Sequence, residues 1–112
     1  VGLLLEPILQ GQTWGLISDA GLPCIADPGS DLVAKAQKQG IVVQTLAGPS
    51  SILMALQLSG FTGQHFAFHG YLPREAPLLE KKILELEKRS RADLATQIWI
   101  EAPYRSAKLL ET

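Results

Sequence analysis

A single cysteine, Cys24, in 112 residues excludes an intrachain disulfide framework and leaves too few thiols for a structural zinc site. The default setting for such a chain is a reducing cytoplasm. A surplus of charge is missing as well, since 10 Lys and Arg stand against 11 Asp and Glu for a formal net charge of -1. That balance leaves no broad electrostatic footprint for nucleic acid, so any RNA contact has to be made through a local site. No apolar run approaches the ~18 residues that cross a bilayer, and no basic, signal-like segment is visible. The expectation is a chain without a membrane span. What is present is apolar material, 46% of the residues, which argues against intrinsic disorder and suffices for the core of one domain at most. The first residue is Val1, and Leu110-Glu111-Thr112 reads as the middle of a helix, so the sequence is expected to be an internal fragment.

Glycine and proline punctuate the chain. Residues 6–11 read as a short helix with Pro7 in its first turn and Gly11 as a left-handed stop. Residues 13–18 read as a compact strand, and 19–29, dense in glycine and proline, as a shaped loop. Ser30 is placed to cap a helix carrying Leu32, Val33 and Ala36 on one face and ending at Gly40. Residues 41–46 are a β-branched strand. Strand, loop, helix and strand in this order predict a βαβ unit in a parallel, buried sheet. Residues 51–58 are apolar on nearly every side and stopped by Gly60, which predicts a helix buried between layers and sharing one core with that unit. Residues 65–71 alternate with period two, placing Phe66 and Phe68 on one face and His65, Ala67 and His69 on the other. Pro77 opens a solvated helix with Leu79, Ile83 and Leu86 as its buried stripe and Glu85 and Arg89 able to pair on its wet side. A polar linker, 90–95, then leads to a strand at 96–101 and a last helix. The alternation fixes the class as α/β.

Ligands of open parallel sheets collect at the carboxyl ends of strands. Here those ends carry Ser18-Asp19-Ala20-Gly21, Gly48-Pro49-Ser50-Ser51 and Glu101-Ala102-Pro103-Tyr104-Arg105. Glycines let backbone amides approach a ligand, and serines at a helix start offer hydroxyls and free N–H groups. The same residues also suit ordinary turns and helix caps, and physics alone leaves both readings open.

The motif Ser18-Asp19-Ala20-Gly21-x-Pro23-x-Ile25-x-Asp27-Pro28-Gly29, followed by Gly48-Pro49-Ser50, Gly70-Tyr71-Leu72-Pro73 and Glu101-Ala102-Pro103-Tyr104-Arg105, resembles the tetrapyrrole methylase family of class III S-adenosylmethionine-dependent methyltransferases. Within it the resemblance is closest to the branch that methylates a ribose 2′-hydroxyl of small-subunit (16S) ribosomal RNA. Tyr104 stands where that branch commonly has histidine, and Ala47 where proline is usual. The resemblance implies a two-domain α/β enzyme, a homodimer, with the cofactor S-adenosyl-L-methionine folded between its domains. Residues 1–50 are then the C-terminal part of the N-terminal cofactor domain, a parallel βαβ remnant, joined to 51–112 as the start of a second α/β domain. It also implies that Asp19, Ala20 and Gly21 line the cofactor pocket, that Ser50 and Ser51 meet its methionine end, and that Glu101 and Ala102 lie beside the adenosyl group. The family's N-terminal glycine-proline loop is not in this sequence, so the chain by itself is expected to fold and to be essentially inactive.

The remaining titratable residues carry less. His65 and His69 have no third ligand type nearby, so no metal site is expected. Asp27, before Pro28, reads as a hydrogen-bond acceptor that fixes its loop, and Cys24 as a small buried side chain. Arg74, Lys81, Lys82, Lys88, Arg89 and Arg91 are interspersed with Glu75, Glu80, Glu85 and Glu87 and read as a solvated face. Methyl transfer from a sulfonium needs alignment above all, with a base or water to take the hydroxyl proton. No side chain stands out as that base. Two rival readings remain at this stage, methylation of a tetrapyrrole precursor and a nucleotide-binding α/β module without catalysis.

Overall fold

In the computed structural model of the chain, which describes residues 2–112, regular structure runs as three helices, a strand, a helix, a second strand and a last helix. These elements fall into two compact units, Val1–Ser51 and Ile52–Thr112. The fold is α/β, with one two-stranded parallel sheet.

In the first unit, α1 (Gly2–Leu9) is longer than the sequence suggests and holds Pro7 in its last turn, not its first. Its end follows from glycine. Gly11 takes φ 102°, its N–H donates to the Ile8 carbonyl at 3.0 Å, and the Gln12 N–H donates to the Pro7 carbonyl at 3.1 Å. This paired arrangement satisfies carbonyls that a helix end otherwise leaves open. α2 (Ser30–Lys38) stops in the same way: Gly40 takes φ 72°, donating to Gln37, while Ile41 donates to Ala36. Its start departs from expectation. Gly29, not Ser30, holds the cap position, and no side chain caps the helix.

The predicted strands 13–18 and 41–46 do not form, because neither segment finds a ladder partner. The βαβ unit expected there is therefore absent from the described residues. Apolar composition makes a segment suitable for a sheet, but only inter-strand hydrogen bonds make it a strand. Ile17 is 88% exposed and Leu46 87%, whereas Leu5 and Ala36 are the buried residues of this unit's helices.

The second unit contains the βαβ element that the first lacks. β1 (Phe66–Tyr71) and β2 (Thr96–Ile100) pair in parallel, Phe66 with Thr96, Ala67 with Gln97 and Phe68 with Ile98. The register then slips before Tyr71 meets Ile100, and Gly70, at φ 66°, lies inside that slip. Between the strands runs α4 (Ala76–Asp93), with Pro77 in its first turn. Its i, i+4, i+7 stripe behaves as the spacing predicts: Leu79 and Leu86 are buried with Leu72, and Ile83, Trp99 and Leu109 pack against them. The helix runs on through Ser90 to Asp93, where a linker was expected, and ends at Leu94 in the left-handed conformation. On its wet side the ion pairs are Lys82 with Glu85 and Arg91 with Glu87, in place of Glu85 with Arg89. A 3₁₀ turn (Pro103–Arg105) and α5 (Ser106–Glu111) complete the unit.

α3 (Ser51–Ser59) has the predicted length but not the predicted burial. None of its residues is buried, and Leu58 is 88% exposed. A helix apolar on all sides needs protein on all sides to bury it. No described helix is long and apolar enough to cross a membrane.

Candidate functional site

The carboxyl ends of β1 and β2 open into a polar pocket of about 300 Å³. Tyr71, Leu72 and Arg74 line it from the segment leaving β1, and Glu101, Ala102, Tyr104 and Arg105 from the segment leaving β2. Parallel pairing explains the convergence, since it brings both strand ends to one side of the sheet. The Glu101 side chain is 8% exposed and faces that of Arg105, 16% exposed, at 4.0 Å. Its other oxygen, Oε1, accepts the Ala102 N–H at 2.8 Å. Arg105 also donates from Nη2 to the Arg74 carbonyl at 3.5 Å, which ties the two strand-end segments together. Arg74 in turn donates from Nη2 to the Tyr104 hydroxyl at 3.4 Å.

A larger groove of about 460 Å³ lies at the other end of β2, among Phe61, Ile83, Leu86, Leu94 and Trp99. Its walls are mainly apolar and bring no reactive groups together.

The turns of the first unit are shaped by backbone. In the Ser18 turn, the serine hydroxyl donates to the Ala20 carbonyl at 2.9 Å and accepts the Ala20 N–H at 3.4 Å. Positive φ recurs at Gly21, Cys24, Ala26 and Gly29. Asp27, expected to fix this loop, accepts no hydrogen bond among the described residues; the close approach in the loop is at Gly29. A Cβ on Gly29 would lie 2.8 Å from both Cys24 Sγ and Leu16 Cδ2. Cys24 itself is half-buried, not buried. A Cβ on Gly48 would sit 3.0 Å from Leu22 Cδ2, so the Gly48 turn and the loop after Asp19 adjoin within this unit.

No protein-family model matches the chain. Among curated proteins, it is 38% identical over 109 residues to the Ribosomal RNA small subunit methyltransferase I of Vibrio cholerae, an alignment that takes in 97% of this chain and 36% of that protein. The proteins of the same name from Halalkalibacterium halodurans and Thermotoga maritima are 36% and 35% identical, over 96% and 91% of this chain. Nearly the whole chain aligns with these proteins, in keeping with its resemblance to the tetrapyrrole methylase family. It spans about 36% of the length of the first two relatives and 44% of the third.

Of the residues that the tetrapyrrole methylase pattern singles out, Asp19, Ala20 and Gly21 stand together on an exposed turn. Ser50 and Ser51 stand together where α3 begins, and neither hydroxyl has a hydrogen-bond partner among the described residues. Glu101 and Ala102 meet in the strand-end pocket. His65 and His69 are occupied otherwise. His65 donates from Nδ1 to the Asp93 carbonyl at 3.1 Å. The Gln97 amide donates to the Ala95 carbonyl at 3.1 Å, leaving its oxygen to accept from His69 Nε2 at 2.6 Å. Sequence reasoning missed Arg74, Tyr104 and Arg105 as pocket residues, although Tyr104 and Arg105 lie inside a quoted motif. The usable signal was their place just after a strand's carboxyl end.

Proposed function

We propose that the chain acts within an S-adenosylmethionine-dependent methyltransferase whose acceptor is a ribose 2′-hydroxyl of small-subunit ribosomal RNA. The observation that carries this reading is the 38% identity, over 97% of the chain, to a protein named for methylating that RNA. Residues 1–50 would then belong to a cofactor domain and 51–112 to the start of a second domain, in a homodimeric enzyme of the cytoplasm with a tetrapyrrole methylase fold.

The residues assigned to the cofactor are Asp19, Ala20, Gly21, Ser50, Ser51, Glu101 and Ala102. Their chemistry fits a ligand that carries ribose hydroxyls, an amino acid end and a positive sulfur. Asp19 offers an exposed carboxylate, and Ser50 and Ser51 offer uncommitted hydroxyls. Bound, S-adenosylmethionine supplies an electrophilic methyl carbon. The protein's part is to align that carbon with the acceptor oxygen and keep the pair dry. Neither histidine is assigned as a base, since each spends a ring nitrogen on a structural partner.

Calorimetric titration of the full-length protein with S-adenosylmethionine tests the cofactor, and the absence of both heat and competition by the demethylated product contradicts the reading. Mass spectrometry of ribosomal RNA from cells lacking the gene should show one missing 2′-O-methyl group. An unchanged map would point to a tetrapyrrole acceptor. Ser51→Leu should weaken cofactor binding strongly while the melting temperature holds. Had the serines only capped α3, Ser50→Ala and Ser51→Ala would cost about 0.5–2 kcal/mol of stability and leave cofactor affinity as it was.

A further inference from the structure

Resting on the reading that the acceptor is RNA, we propose that Arg74 and Tyr104 form its binding edge, the guanidinium taking a backbone phosphate and the tyrosine ring stacking on a neighbouring base. The pocket at the strand ends holds two arginines and one carboxylate. Arg105 faces Glu101 at 4.0 Å, and both side chains are largely withdrawn from solvent, so together they make a neutral floor. Arg74 is different. It is exposed, and among the described residues no carboxylate pairs with it; its guanidinium donates only to the Tyr104 hydroxyl, at 3.4 Å. The surplus positive charge of the pocket therefore sits at its rim, in a chain whose net charge is -1. A protein without a general basic surface has to bind a polyanion through such local points.

Tyr104 is 79% exposed and lies beside the cation, an apolar ring in a position where water gains nothing from it. An exposed aromatic next to an arginine is the combination that holds unpaired nucleotides, the ring by stacking and the cation by the phosphate. The planar guanidinium also matches a phosphate with two parallel hydrogen bonds, which a lysine at the same place would not supply. The Arg105 bond to the Arg74 carbonyl fixes the backbone from which the free guanidinium projects.

The test uses the full-length protein with two probes, a small-subunit ribosomal RNA transcript bound at several salt concentrations and S-adenosylmethionine. Arg74→Gln should weaken RNA binding about tenfold at fixed salt and make the salt dependence shallower by about one phosphate contact, with cofactor affinity unchanged. Arg74→Lys should retain the salt dependence. Tyr104→Ala should lose about tenfold in RNA affinity, and Tyr104→Phe should keep it, since the ring and not the hydroxyl stacks. Melting temperatures at these exposed positions should match the parent. The proposal is overturned if Arg74→Gln leaves the RNA salt dependence untouched, or if it weakens the cofactor instead, which would assign Arg74 to a cofactor carboxylate. A parent protein that binds the cofactor but not the transcript defeats this proposal together with the RNA acceptor. Transcript binding without cofactor binding defeats the methyltransferase reading and leaves the Arg74 edge standing.

Discussion

Residues 13–46 and 66–100 have the same plan, an apolar stretch, an amphipathic helix and a second apolar stretch, and the structure treats them differently. In the second region the outer stretches pair, α4 buries Leu79 and Leu86 beside Leu72, and the strand ends deliver Glu101 and Arg74 to one pocket. In the first, 13–18 and 41–46 form no ladder, and Ile17 and Leu46 remain exposed. The difference shows that a parallel βαβ plan becomes a core only when its strands have each other or a third strand to pair with. Parallel pairing is a long-range event, so local pattern says where a strand could be and not whether its partner is present.

The comparison can be broken most severely in α4. Leu86→Ala should destabilise the second unit by about 2–5 kcal/mol, because Leu86 is 2% exposed and its loss leaves a cavity. Leu46→Ala, at an 87% exposed position, should stay within about 0.5 kcal/mol. Urea unfolding separates the two regions, since Trp99 packs on the α4 core while Trp14 lies in the first unit; Trp14→Phe and Trp99→Phe backgrounds report each alone. A smaller effect is expected at Gly29→Ala, about 1–3 kcal/mol, from a φ of 138° and the approach of Cys24 and Leu16. The Trp14 signal should carry it. Next comes Gln97→Leu, which removes the acceptor of the His69 bond and should cost about 0.5–1.5 kcal/mol, read at Trp99. Least of all, Arg91→Ala should remove about 0.3–0.5 kcal/mol, and added salt should erase even that, because its partner Glu87 is solvated.

Much of the local structure was legible in the residues. Gly11 and Gly40 end their helices as expected, because a left-handed residue is a local requirement that glycine meets at little cost. The Leu79, Ile83 and Leu86 stripe, the strand after Gln64 and the strand after Ala95 were equally plain. What failed was non-local. The pairing of 13–18 and 41–46 and the burial of α3 depend on what lies beside them. Ser30 shows a subtler failure: it is a good capping residue, but Gly29 takes the cap position and the serine becomes the first helical residue. At the site, the pocket at Glu101 was readable as a strand-end feature, whereas the turn at Asp19 forms with no strand before it. In sequence Arg74 belongs with the charges of a solvated helix face, and only the parallel register shows that it stands opposite Tyr104.

Amide hydrogen exchange on the 112-residue chain tests the contrast most directly, since it reports backbone pairing residue by residue. The account predicts protected amides along β1 and β2 and exchange near the unstructured rate along 13–18 and 42–46, where no backbone ladder exists. Equal protection in all four segments would contradict it.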